Sequence, residues 1–432
     1  MKEVIDIGLI GCGTVGGGVV ELLSRRRTAL ERSAGRSLRV RRIAVRDVER
    51  PRPNVAGLVG PEVEWTDDVE RVVGADDLDL VVEVAGGTEA PRDWMVAALR
   101  NGKDVVTANK AALAFFGREI FGAAIEAGRR VYYEASVAGG IPIVDMLQNG
   151  LVANQITELA GILNGTCNYI LTCMDGGGAD YSAALALAQE KGFAEADPAL
   201  DVGGDDAAHK LALLVGILTG THVPASAIYT EGIERIGAED IEVAQRFHYR
   251  LKLLALAKLG GGGEWELRVH PTLIPEGSIL AGVQNENNAV ALQGDAVGPM
   301  LISGKGAGAL PTSSSVVADI VRAARSDGST ALPVNASPEL VPIERVVSRH
   351  YIRLMVLDVP GVLGRITSLF GMRQISISSI HQEEAKMGQV VPVVFMTHAA
   401  ADEVVGKALK DLEVAELLQQ PATRIRIEDG EP

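Results

Sequence analysis

The sequence predicts an α/β chain in three successive parts: a unit built on a parallel sheet, an α+β domain, and a small βαββαβ domain. Three observations carry that expectation. Residues 4–134 alternate short aliphatic runs with amphipathic stretches, while from about 135 to 303 longer helical patterns mix with alternating segments. A segment rich in Ser, Pro, Asn and Asp then separates the last part, so 326–349 reads as a linker before a domain at 350–428.

In the first part, 1–134, the runs Val4–Ile10, Leu38–Val45, Leu78–Val84, Asp104–Thr107 and Arg130–Tyr133 read as strands with helices between them. Asn109 is the expected N-cap of a helix that runs to Ala127 and stops at Gly128, which puts Lys110 in its first turn. In the second part, 135–303, Trp265–Val269 and Val290–Leu292 read as strands. The turn Gly304–Gly308 leads through Thr312–Ser315 into a helical run Val316–Ala324, a return segment (304–325) that would complete the first unit. At the end, Tyr351–Leu357, Gly361–Phe370, Ile375–His381, Val390–Thr397, Asp402–Leu412 and Thr423–Ile427 follow the ferredoxin-like order β, α, β, β, α, β.

Composition excludes several classes. With 56 acidic against 41 basic residues, the net charge of −15 disfavours non-specific nucleic-acid binding, although eleven arginines crowd between Arg25 and Arg52. Aromatics are only 4% and hydrophobic residues 47%, so the cores are aliphatic, and disorder, collagen and coiled coil fail as descriptions of the whole chain. Cys12, Cys167 and Cys173 form neither a disulfide framework nor a zinc pattern, which points to a reducing compartment and a cytoplasmic location. The start has no signal-peptide pattern, and the apolar run Leu211–Leu218 is too short to span a bilayer, so neither export nor a membrane is expected.

Gly11-Cys12-Gly13-Thr14-Val15-Gly16 matches GxGxxG, after an apolar strand and at the opening of a helix. Gly11 permits the tight turn, Gly13 the approach of a pyrophosphate, and Gly16 close packing of helix on strand. The free N–H groups at the helix start, through Thr14 and Val15, bind the anion. The second strand ends in Arg46 rather than an acid, which favours a 2′-phosphate and hence NADP, with Arg50 or Arg52 assisting. Asp47 follows directly and suits NAD, so both cofactors remain open.

The stretch Gly192–Lys210 packs Glu195, Asp197, Asp201, Asp205 and Asp206 around a helix start, without metal-ligand spacing. Beyond Lys210 the helix is apolar on every face and therefore buried. Asp206 and Lys210 stand at i and i+4 on one face, at the entrance of that helix. The alternative is a structural ion pair. Against it, the chain has eleven lysines to thirty arginines, and lysine in a dry pocket can exchange a proton where arginine cannot.

These residues, with Val106–Lys110, Tyr133–Pro142 and Gly161–Leu171, resemble the homoserine dehydrogenase family across essentially the whole chain. The resemblance implies a Rossmann-type nucleotide domain, a catalytic and dimerisation domain and a C-terminal ACT domain. It implies reversible, NAD(P)-dependent interconversion of L-homoserine and L-aspartate 4-semialdehyde, toward threonine, methionine and isoleucine. Lys210 would be the general acid/base, Lys110 would lie beside nicotinamide and substrate, and Asp206 would tune the catalytic lysine. Glu195 would hold the amino acid, with Asp201 and Asp197 as lesser candidates; Thr107 and Gly306 would touch the cofactor. Glu134 with the backbone of Val137, Gly139 and Ile141 matches a monovalent-cation site, usually sodium, which carbonyl-rich bends can supply. Cys167 stands where Thr is frequent. The Leu354–Leu363 segment resembles an ACT domain, implying an effector turn at Asp358, Gly361, Val362 and Leu363. L-threonine would be the effector, unless the domain serves only a homodimer or homotetramer.

Two competing readings stand beside it. A thioester-forming Rossmann enzyme needs a cysteine with a neighbouring histidine, which Cys12, Cys167 and Cys173 lack in sequence. A non-enzymatic sensor of nucleotide and amino acid has no need of both Lys110 and Lys210. The seven histidines show no ligand or triad spacing, and His209 points about 100° from Lys210.

Overall fold

The protein is described by a computed structural model over residues 2–177, 179–325, 337–383 and 386–430. Six parallel strands form the first sheet: β1 (Val4–Ile10), β2 (Ser37–Ala44), β3 (Glu64–Thr66), β4 (Leu80–Glu83), β5 (Asp104–Thr107) and β6 (Val131–Tyr132). Their order is β3-β2-β1-β4-β5-β6, the doubly wound arrangement, with the switch between β1 and β4. Ile7, Leu9, Val81, Val82, Val105 and Val106 are all buried because helices cover both faces. Such strands read as continuous aliphatic runs, whereas β3, Glu64-Trp65-Thr66, contains no aliphatic residue and does not announce itself.

The helix Ala309–Arg325 returns to this unit and packs on the helix Thr14–Arg25, where the Ser313 hydroxyl donates to Val15 O at 2.8 Å. Its Val316, Val317, Ile320 and Val321 share one core with β1 and β2. Two boundaries differ from expectation. Gly304 and Lys305 close a strand rather than open a turn, and Thr312–Ser315 lie inside the helix, where Ser313 also bonds Ala309 O.

The second sheet joins the remaining strands: β7 (Ile156–Ile162), β8 (Tyr229–Thr230), β9 (Tyr249–Leu259), β10 (Trp265–Pro275), β11 (Asn287–Gly294), β12 (Gly298–Lys305), β13 (Val347–Leu357), β14 (Ile377–Gln382), β15 (Val390–Thr397), β16 (Ala400–Ala401) and β17 (Thr423–Ile427). Its path is β12-β11-β7-β9-β10-β17-β13-β15-β14, with β8 on β10 and β16 on β13. The last four strands of that path, with helices Val362–Met372 and Asp402–Val414, make the ferredoxin-like unit. That unit is not a separate sheet: β17 lies parallel to β10, with Thr272 opposite Arg426. Of the linker expected over 326–349, residues 326–336 lie outside the described residues, and Leu340 bridges to Trp265. Among the described residues no helix is long and apolar enough to cross a membrane.

Candidate active site

Two elements bring the charged groups together. Asn109 caps the helix Lys110–Ala127 by accepting from Ala112 N at 3.0 Å, which fixes Lys110 at its first turn beyond the end of β5. The helix Asp205–Thr219 runs through the aliphatic core, with every residue from Asp206 to Gly216 buried. Its opening residues therefore carry their charges into a low-dielectric interior, where an unpaired ion is costly.

Asp206, only 6% exposed, pairs with both lysines. Lys210 Nζ donates to its Oδ2 at 2.7 Å and Lys110 Nζ lies 3.1 Å from its Oδ1. Lys210 also donates to Leu163 O at 2.6 Å, which in turn accepts from Asn288 Nδ2 at 3.0 Å. Asn164 caps the helix Gly165–Asp175 through Cys167 N and turns its amide outward, donating to Asp201 at 2.7 Å and Asp206 at 2.9 Å. Burial opposes ionisation of Asp206, yet the two lysines outweigh it and hold its carboxyl well below the usual carboxylate range. Asp206 in turn raises Lys110 against its own burial, with Asp201 and Glu195 adding to the effect. Lys110 keeps 41% of its side chain exposed, whereas Lys210 keeps only 11%.

The other acids fall into distinct roles. Asp201 is pushed up by burial and by Asp206, and is held by Asn164 and by the Thr166 hydroxyl at 3.2 Å. Glu195 is exposed and acts on Lys110 through space. Asp197 caps Ala199 N at 3.2 Å, an ordinary loop function. His209 turns away to pack edge-on against Phe115, with ring centroids 5.0 Å apart. Cys167 is fully buried, its Sγ against Asp201 O at 3.1 Å, and burial pushes the thiol up; Cys12 is likewise buried and raised. Neither suits a thiolate nucleophile.

The glycine turn fits a dinucleotide. Gly11 adopts φ +96°, and a Cβ on Gly16 would lie 2.1 Å from Gly11 O, whereas a Cβ on Gly13 would meet nothing within 4 Å. No side chain caps the helix that starts at Thr14, so its first N–H groups, Val15 included, are available to a phosphate. Thr107 is fully buried, and its hydroxyl donates to Glu83 Oε2 at 2.8 Å and accepts from Asn109 N at 3.0 Å, tying the ends of β4 and β5. Gly306 packs over Gly139, and Gly140 N bonds Lys305 O at 3.0 Å. At the end of β2, Arg46 is exposed, with no hydrogen-bond or ion-pair partner among the described residues. Arg52 instead bonds Asp47 O at 2.7 Å and stacks over Trp65, and Asp47 Oδ1 accepts from Glu49 and Arg50 N–H groups.

At the expected cation turn, Ala138 and Gly139 both adopt left-handed backbone. Gly139 O accepts from Ser315 Oγ at 2.7 Å and Ile141 O from Ile143 N at 2.8 Å. The Glu134 carboxylate accepts from Val144 and Asp145 N–H at 2.8 and 2.7 Å, capping a short helix, and burial pushes it up to about 7. In the C-terminal unit, Gly361 is left-handed, and the helix it opens at Val362 and Leu363 has no side-chain cap. Asp358 accepts from Gln382 Nε2 at 3.2 Å beside it. Sequence reasoning missed Glu83, Asn288 and the specific work of Asn164; a carboxylate closing the apolar run of β4 was the one legible signal.

Comparison with known proteins places the chain among relatives of one kind. The family model "Homoserine dehydrogenase" matches residues 142–321, "Homoserine dehydrogenase, NAD binding domain" matches 11–134, and "ACT domain" matches 350–416. A homoserine dehydrogenase from Pseudomonas aeruginosa is 42% identical over 98% of this chain and 99% of its own. One from Corynebacterium glutamicum is 40% identical over 98% and 96%. The crystal structure of a homoserine dehydrogenase from Thiobacillus denitrificans superimposes with a TM-score of 0.92 at 42% identity, over 99% of this chain and 98% of that one.

Proposed function

Since the chain belongs to the homoserine dehydrogenase family, we propose that it interconverts L-homoserine and L-aspartate 4-semialdehyde, with Lys210 as general acid and base. The observation that carries this reading is the buried Asp206 carboxylate shared by Lys210 and Lys110 at 2.7 and 3.1 Å. The nicotinamide cofactor, when bound along Gly11–Gly16, supplies a hydride to the aldehyde carbon or takes one from the alcohol. Lys210 gives its proton to the aldehyde oxygen in the direction of homoserine and recovers it in reverse. Lys110, the more exposed of the two lysines, stabilises the developing alkoxide by its charge. Asp206 keeps both ammonium groups in place, and Asn164 with Leu163 O fixes the angle from which Lys210 reaches the substrate. Glu195 and Asp201 receive the amino group of the amino acid. Homoserine-dependent reduction of the cofactor that is lost in Lys210→Ala, with nucleotide binding intact, is the result expected; turnover above a tenth of wild type would remove Lys210 from this role.

Four finer statements belong with this proposal. Arg46, unpartnered at the strand end, favours the 2′-phosphate of NADP, while Asp47 is engaged in capping its own turn. Glu134 together with the backbone oxygens of Val137, Gly139 and Ile141 suits a monovalent cation such as sodium. The helix start at Gly361–Leu363 has no side-chain cap and suits the carboxylate of L-threonine, so feedback within threonine, methionine and isoleucine synthesis is the role we assign to the ACT domain. The assembly would be a homodimer or homotetramer.

A further inference from the structure

Where β17 joins β10, an arginine is sealed inside the molecule. Arg426 is 0% exposed, and its guanidinium donates to Asp402 Oδ1 at 2.8 Å, Glu231 Oε2 at 3.0 Å and Tyr229 OH at 3.2 Å. Arg424, on the same face of β17, lies 3.2 Å from the other oxygen of Asp402. Asp402 and both arginines belong to the C-terminal unit, whereas Tyr229 and Glu231 belong to the catalytic part. The Tyr229 hydroxyl donates to Glu231 as well. The Glu231 carboxylate is thus gripped by the regulatory unit and by its own strand.

What lies behind Glu231 is the active-site loop. Ile233 N donates to Val202 O at 2.9 Å, and Gly232 packs so closely on Val202 and Gly203 that a Cβ would collide with both. On the near side, a Cβ at Gly204 would sit 3.0 Å from the Thr230 methyl group and 3.2 Å from Glu231 O. Residues 202–204 are the connection between Asp201 and the first turn of the helix that carries Asp206 and Lys210. The chain at 229–233 is therefore a strap, with one side on Arg426 and the other against the backbone that sets the catalytic carboxylates.

We propose that Arg426 is a positioning residue: through Glu231 and the strap 229–233 it couples the C-terminal unit to the placement of Asp201, Asp206 and Lys210. The inference rests on the functional reading above. A guanidinium suits this task because its planar fork holds several acceptors at once, which a lysine cannot do. Displacement of β17 would shift Glu231 and with it the Val202 carbonyl, without touching the cofactor turn.

The test compares Glu231→Gln with Arg353→Met in the full-length protein, each assayed at a temperature where circular dichroism finds it folded. Arg353 joins the same two units through Asp240 at 2.7 Å but does not abut the 201–206 loop, so it controls for a loosened interface. Glu231→Gln is expected to lower kcat for homoserine about tenfold while leaving the cofactor KM unchanged, short of the roughly hundredfold that a 1 Å misplacement of catalytic groups costs. Tyr229→Phe, which removes one hydroxyl, is expected to lose about threefold, and Arg353→Met less than about twofold at a similar loss of Tm. Equal losses of kcat in Glu231→Gln and Arg353→Met, or no loss in Glu231→Gln, would overturn the coupling alone. Wild-type protein without homoserine turnover would overturn both this inference and the reading it rests on.

Discussion

Replacing Asp206 by Asn removes one negative charge from between two lysines and changes almost nothing in shape. Lys210 and Lys110 then face a neutral amide at 2.7 and 3.1 Å, and Lys210, with 11% of its side chain exposed, has little water to compensate. Breaking a buried pair in this way costs about 3 kcal/mol. The pH dependence gives that loss a signature. Since the folded-state carboxyl of Asp206 is depressed, its contribution is fully present above the unfolded value near 4 and is lost as the pH falls through the folded one. The stability gap between wild type and Asp206→Asn should therefore be constant from pH 8 to about 5 and narrow only in strong acid. Turnover should fall about a hundredfold, because the proton donor loses its orienting partner. Urea unfolding across pH, together with steady-state kinetics, measures both quantities. Equal stability at neutral pH, or turnover within about threefold of wild type, would refute the assignment of Asp206 as the shared anchor.

Other outcomes follow from the same geometry. Gly16→Ala should weaken nucleotide binding at least about tenfold by fluorescence titration, because its methyl group would strike Gly11 O at the phosphate turn. Arg46→Ala should raise KM for NADP by about tenfold with NAD kinetics unchanged; equal effects on the two cofactors would make Arg46 an ordinary surface charge. Asp358→Ala should relieve inhibition by threonine at unchanged uninhibited rate, and calorimetry without heat on adding threonine to wild type would count against any effector role for that turn.

Much of this arrangement is legible before the structure because its signals are local. The glycine loop, the Asn109 cap that places Lys110, and the i,i+4 pair on an all-apolar helix each lie within one stretch of chain. The rest is not local. Leu163 O meets Lys210 from 47 residues away along the chain and is met in turn by Asn288 from 125 residues away, and a backbone acceptor leaves no mark in a side-chain pattern. The joining of β17 to β10 is likewise an edge pairing of main-chain groups. Alternation in Thr423-Arg424-Ile425-Arg426-Ile427 says that the arginines share a face but not what covers it, and Arg426 is fully buried there. At the site itself, the Thr107 hydroxyl bonds Glu83, a carboxylate 24 residues away on the neighbouring strand, which is a pairing no local pattern announces.

The central claim is that Lys210, held by Asp206 and Leu163 O, moves the proton in a homoserine-dependent hydride transfer. Its most direct test is the rate of NADP and NAD reduction by purified wild type and Lys210→Ala with saturating L-homoserine, alongside nucleotide affinity for both proteins. The account predicts homoserine-dependent reduction by wild type, a loss of about a hundredfold or more in the variant, and equal nucleotide affinity. Turnover in Lys210→Ala above a tenth of wild type, or no reduction by wild type with either cofactor, would contradict it.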